Sequence, residues 1–262
     1  MKPSRAWVLL PSRRRLNLLA PDPQAWTDRD LAIGLSRTYR WAGYSAWPHP
    51  LSVAQHSLTV LALRRLAAER PLTAAEARRE LLHDATEALL GGYDPITPIK
   101  PHLGEGYERL VTLHQAALDI RYALPAWDER SYREHKRGDH LAAASEGLHV
   151  VGWSRRELRE DLEITVDPLE HDPLAPVQGF AAWEPWPAGF AAERFLETLE
   201  TLETLAVTPG HERGEPADPA QGAARVGLQL DRLDDRRCRR PDDVGPQDDA
   251  HERSRRDPDR DH

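Results

Sequence analysis

Between Glu80 and Lys100 the sequence ELLHDATEALLGGYDPITPIK sets His83, Asp84 and Glu87 among apolar residues, then breaks at Gly91-Gly92 into a Pro-rich loop. A helix that only filled a core has no need of an imidazole and two carboxylates so close together. On a continuous helix His83 and Asp84 stand about 100° apart, so one metal ion over that edge can meet both. Glu87, four residues after His83, shares its face. His56, in SVAQHSLTV, belongs to the preceding predicted helix, and a short antiparallel connection brings it towards His83. Asp139, in REHKRGDHLAAASEG, offers a further carboxylate on a later helix, where Gly138 and Ala142-Ala143-Ala144 permit close helix approach. Two imidazoles and two carboxylates suit a divalent transition ion, and an octahedral ion keeps positions for water and a phosphate oxygen.

Other residues compete for these places. Asp119 is the rival for the last ligand, but its apolar helix suggests a pairing with Arg121 or a neighbouring helix. His114 reads as structural, and His49 and His140 as exposed. Beyond the His-Asp pair, Asp94 and Lys100 sit where the loop can fold back over the site, and Lys100 can hold a phosphate as a point charge.

The elements that must position these side chains read as helices. Thr27-Asp28 caps a helix to about Arg40. A second runs from Ser52 to about Glu69, with Val53, Leu58, Leu61 and Leu66 near the helical period. Thr73, with Glu76 three residues on, forms a capping-box pattern ahead of a helix over about 74–90. Further helices are expected at about 105–124, 128–149, 154–163 and 189–206, the last carrying ETLETLETL with Leu inward. No segment shows convincing strand alternation. The fold class is therefore all-α, a helical bundle with the Trp/Pro segment 166–188 packed outside.

Bulk composition sets limits. The chain has 262 residues, 40% of them hydrophobic and 30% charged, with formal net charge −8. That balance argues against nucleic-acid polymers as partners. The single cysteine, Cys238, excludes an internal disulfide framework and a Cys-based zinc cluster, which fits a reducing cytoplasm. MKPSRAWVLLPSRRRLNLL has no apolar run for a signal peptide or membrane span. From Asp231 to His262 there are ten Asp, nine Arg and one Glu in 32 residues. Such a stretch buries too little apolar surface to fold, so 1–206 reads as the domain and 207–262 as a disordered charged tail.

The pattern His56, His83-Asp84, Asp139 resembles the metal signature of the HD-domain phosphohydrolases, and most nearly the bacterial 5′-deoxynucleotidases and phage dATP triphosphohydrolases. RWAGYSAWPHPLSVAQHS (Arg40 to Ser57), HDATEALLGGYDPITPIK and GDHLAAASEG, with Glu146, carry that resemblance over about residues 25–165. It implies an HD-type helical bundle holding one divalent metal ion (Co, Mn, Zn, Fe or Mg) on His56, His83, Asp84 and Asp139. Glu87 would orient or deprotonate the attacking water, and Asp94 would assist near the leaving group or fix that water. Arg40 would meet the phosphate and Trp41 would stack on the sugar or base. The substrate implied is a small deoxynucleotide, mono- or triphosphate. Related enzymes are often dimers or larger, so a homo-oligomer is among the states open to it. Two other readings stand beside this one: an HD-type hydrolase of a cyclic or signalling nucleotide, and a non-catalytic nucleotide-binding helical domain. The loop GGYDPITP is about two residues longer than the related pattern, which leaves Asp94 the least firmly placed.

Overall fold

In the computed structural model residues 5–207 are described, and they are mostly helical. The expected tail falls outside the described residues from 208 onward, Cys238 with it. The elements run β1 (Trp7–Leu9), β2 (Arg15–Asn17), α1 (Asp28–Arg37), α2 (Val53–Ala67), α3 (Ala74–Leu81), α4 (Ala85–Leu89), α5 (Gly104–Tyr122), α6 (Glu129–Glu146), α7 (Arg155–Glu160) and α8 (Ala188–Val207). No helix among them is long and apolar enough to cross a membrane.

Local chemistry fixes the helix starts. Thr27 and Thr73 cap α1 and α3 in full capping boxes with Asp30 and Glu76. Asp128 with Ser131 and Ser154 with Glu157 do the same for α6 and α7. Each box satisfies backbone N–H groups that the first helical turn leaves unpaired.

At the centre lies α2, buried over most of its circumference from Val53 to Arg64. It packs on α3 and α6, while α1 and α3 pack on α8. The core joins Trp26, Leu31 and Leu35 to Leu58, Leu61, Leu81, Leu82, Leu118, Phe195 and Leu199. At Gly138 a β-carbon would lie 3.1 Å from Arg64, so this glycine sets how near α6 comes to α2.

Four expectations need correcting. Two three-residue strands do form an antiparallel hairpin, Trp7 opposite Asn17 and Leu9 opposite Arg15; strands this short give alternation no room to show. Leu66 is 65% exposed rather than inward. Leu199 and Leu202 are buried but Leu205 is 62% exposed, because a three-residue repeat drifts about 60° per step on a 3.6-residue helix. The end of segment 166–188 is not outside: Trp183 and Trp186 are buried, and the Trp186 N–H donates to the Gln55 side-chain oxygen at 2.7 Å.

Candidate metal centre

The expected continuous helix over 74–90 is interrupted. α3 ends at Leu81, Leu82 to Asp84 form a turn, and α4 starts at Ala85. Leu82 and Asp84 take φ near −100° with ψ near 15°, and the Glu87 N–H donates to the Asp84 carbonyl at 3.1 Å. The His-Asp pair therefore stands on a corner, not along a helix face. The corner presents His83 and Asp84 together towards α2 from one side, while Glu87 approaches on the first turn of α4.

Four side chains from three places in the fold converge there. His56 Nε2, on α2, lies 3.3 Å from His83 Nε2, 3.5 Å from Asp84 Oδ2 and 3.4 Å from Asp139 Oδ1, on α6. His83 Nε2 is 3.1 Å from Asp84 Oδ2. Ligand atoms about 2.1 Å from a shared ion lie roughly 3.0–3.4 Å from one another, so the spacing of His56, His83 and Asp84 fits a coordination set, with Asp139 reaching it through His56 and pairing its other oxygen with Lys136 at 3.0 Å. His56, His83 and Asp84 each bring a donor atom within 4.8 Å of the others.

The outward nitrogens of both imidazoles are already engaged. His83 Nδ1–H donates to the Glu80 carbonyl at 2.8 Å, and His56 Nδ1–H donates to Glu146 Oε1 at 2.6 Å. These acceptors can only accept, so the tautomer is fixed and both Nε2 atoms are left facing one point. Two imidazole lone pairs at 3.3 Å repel unless a proton or a cation lies between them.

With no cation between them, the surrounding charge favours the proton. Asp84, Asp94, Asp139 and Glu146 face two strong bases, Arg40 and Lys136. Burial and Arg40 disfavour the His56 imidazolium, but Glu146 and Asp139 outweigh them and push its pKa up to about 9. Burial works against Asp84 ionising, yet His83 and His56 hold its carboxyl well below the usual range. Glu87 goes the other way: burial, then Asp84 and Asp94, push it up to about 11, against the pull of Arg40 and Lys100. Its Oε2 is buried with no hydrogen-bond partner. A cation nearby would lower that pKa and convert the carboxyl to a base.

The residues expected to meet a phosphate fall as follows. Arg40 Nη1 is 3.4 Å from Asp94 Oδ2 and 3.8 Å from Asp84 Oδ2, and Arg40 Nε is 3.5 Å from Glu146 Oε2. Asp94 thus reaches the site despite the longer loop, which turns through Gly91 and Gly92 with both φ values positive. Lys100 is exposed, and its charge acts on Glu87. Trp41 Nε1–H donates to Glu146 Oε2 at 3.4 Å, and the indole lies against Gly147, where a β-carbon would touch it at 3.4 Å but collide with Leu158 at 2.6 Å. Trp41 and Ala42 both adopt left-handed backbone, φ 56° and 54°, at roughly 1–2 kcal/mol each.

The rival residues separate cleanly. Asp119 pairs with Arg79 and Gln115. His114 is buried, with Nδ1 bonded to the Leu110 carbonyl, while His49 and His140 are exposed. Sequence reasoning gave Glu146 no role and passed over Glu80 and His135. Glu80 accepts from Arg64 and from His135, each at 2.8 Å, and the His135 ring meets His83 edge-on at 4.8 Å. His135 lies one helical turn before Asp139, the only sequence signal it carries.

No family model matches the sequence. An uncharacterized protein of Rhodobacter capsulatus is 39% identical over 158 residues, 58% of this chain and 77% of that protein. The chain belongs to the same family. The relative's description names no activity, so chemistry must be argued from the side chains.

Proposed function

We propose that the protein is an HD-type, metal-dependent phosphohydrolase that cleaves the 5′ phosphate ester of small deoxynucleotides. The observation that carries this reading is the pair of imidazoles with Nδ1 tied back to Glu80 and Glu146, and Nε2 atoms converging with Asp84 and Asp139. His56, His83, Asp84 and Asp139 would hold the ion. A divalent ion there offsets phosphate charge and acidifies water, the two difficulties of phosphate-ester hydrolysis.

The chain's own residues supply the rest. Arg40, kept charged by Glu146, Asp94 and Asp84 despite its burial, offers a planar fork to two phosphate oxygens. Glu87, with a free buried oxygen, accepts a proton from the attacking water once ionised. Water oxygen attacks phosphorus, the P–O5′ bond breaks, and the departing O5′ takes up a proton, leaving a deoxynucleoside and phosphate or triphosphate. Asp94, beside Arg40, would assist that departure or fix the attacking water. Trp41 flanks Arg40 and supplies an aromatic face for the sugar or base. A non-catalytic binder would tolerate loss of a ligand or of Glu87; this chain keeps all five.

The test is a panel of deoxy- and ribonucleotide mono- and triphosphates together with cyclic and signalling nucleotides, each assayed with Mg, Mn, Fe, Co and Zn ions and resolved by chromatography. Release of deoxynucleoside with at least one ion, lost in Asp84→Ala, is the expected result. Release from cyclic or signalling nucleotides alone would shift the substrate class. No release from any nucleotide with any ion would overturn the hydrolase reading.

A further inference from the structure

We propose that Glu146 is a positioning residue that tethers the Arg40–Gly43 turn to the ligand His56, so that metal binding tightens the phosphate-side turn. This rests on the metal-centre reading above. The Glu146 carboxylate is buried and divides its two oxygens between the halves of the site. Oε1 accepts from His56 Nδ1 at 2.6 Å, while Oε2 accepts from Trp41 Nε1 at 3.4 Å and faces Arg40 Nε at 3.5 Å.

The turn needs such a tether. Trp41, Ala42 and Gly43 take left-handed backbone in succession, and two of the three carry a β-carbon. Conformations of that kind persist only where the surroundings impose them. Here the surroundings are the end of α6 and the turn after it. Glu146 holds the Trp41 indole, which lies against Gly147, and the Ala46 N–H donates to the Val150 carbonyl at 2.8 Å. The Trp47 indole N–H donates to the His149 carbonyl at 2.9 Å. Asp139 lies two turns earlier on the same helix, so one rigid element carries a metal ligand and the tether. An ion that orders His56 orders Glu146, and with it the turn bearing Arg40. By reciprocity, an anion that orders Arg40 strengthens metal binding.

The experiment compares the full chain with its Glu146→Gln variant by Co2+ titration and by hydrogen exchange of the segment 38–48, with and without Co2+. Glu146→Gln is expected to weaken Co2+ by about tenfold or more, as losses of groups supporting a ligand do. It should speed exchange at 38–48 without changing α8, and Co2+ should slow that exchange only in the wild type. Glu146→Asp, which is too short to span both halves, reads the same way if the glutamine variant does not fold. Equal protection by Co2+ in both proteins, unchanged Co2+ affinity, or faster exchange spread evenly over the chain would overturn the tether. A wild type that binds no Co2+ would sink the metal centre itself. Equal metal-free exchange at 38–48 would then still sink the tether.

Discussion

At the scale of single residues, the proposed function divides the site into groups that would hold an ion, groups that would act and groups that would only support. Asp139 and Asp119 test the first division. Asp139→Asn should lose metal affinity, whereas Asp119→Asn should retain it within about twofold while costing no more than about 1 kcal/mol from the weakened Arg79 pair; calorimetric titration and thermal melts read both. Glu87→Gln tests the second: metal should stay bound while kcat falls by about 10²–10⁴. His56, the His83-Asp84 pair and Asp139 could be suspected together from their residue types and from the resemblance, and the folded chain sets His56, His83 and Asp84 within reach of one another with Asp139 beside His56. Glu146, Glu80 and His135 could not be, since nothing in a sequence says which distant carboxylate will accept from a given imidazole. Asp94 could be suspected, but only the folded loop brings it to 3.4 Å from Arg40.

At the scale of elements, capping chemistry was the most readable signal and the helix break the least. Thr73 and Glu76 announce α3, and Arg70 grips the Glu76 carboxylate. That grip, with the Thr73 N–H and hydroxyl, holds the Glu76 pKa down to about 2 from 4.5. A carboxyl lowered on folding stabilises above its unfolded pKa, and the contribution fades as pH falls through the folded one. Glu76→Gln should therefore lower Tm at pH 7, by no more than about 1 kcal/mol for so exposed a pair. The gap should close as pH is taken from about 5 towards 2; a gap that widens in acid would contradict this. The break at Leu82–Asp84 leaves no sequence trace, because LLHDATEALL keeps a helical apolar period through it. Tertiary packing of Leu81, Leu82, Ala85 and Leu89 into the core overrides that local preference. On α8 the ETL repeat hid which leucines face inward: Leu199→Ala should cost about 2–5 kcal/mol, and Leu205→Ala close to nothing, in denaturant melts.

At the scale of the whole described unit, the all-α architecture followed from helical periodicity, and only the short hairpin and the buried end of 166–188 escaped it. The Trp183–Trp186 stretch was hidden because Pro-rich segments usually run over surfaces, whereas this one returns to hydrogen-bond Gln55, one residue from His56. The proposed ligands come from α2, the α3–α4 corner and α6, so an ion held there would join three separate parts of the chain. A saturating divalent ion should raise stability by about 2.7 kcal/mol at a hundredfold excess over its Kd. Asp84→Ala should erase the Tm increase. The measurement that bears most directly on the central claim is metal stoichiometry after equilibrium dialysis against Mn2+ or Co2+. One equivalent per chain is expected in the wild type and none in His56→Ala or Asp139→Ala, with both variants still folded. Full occupancy in either variant would contradict a shared site at this corner.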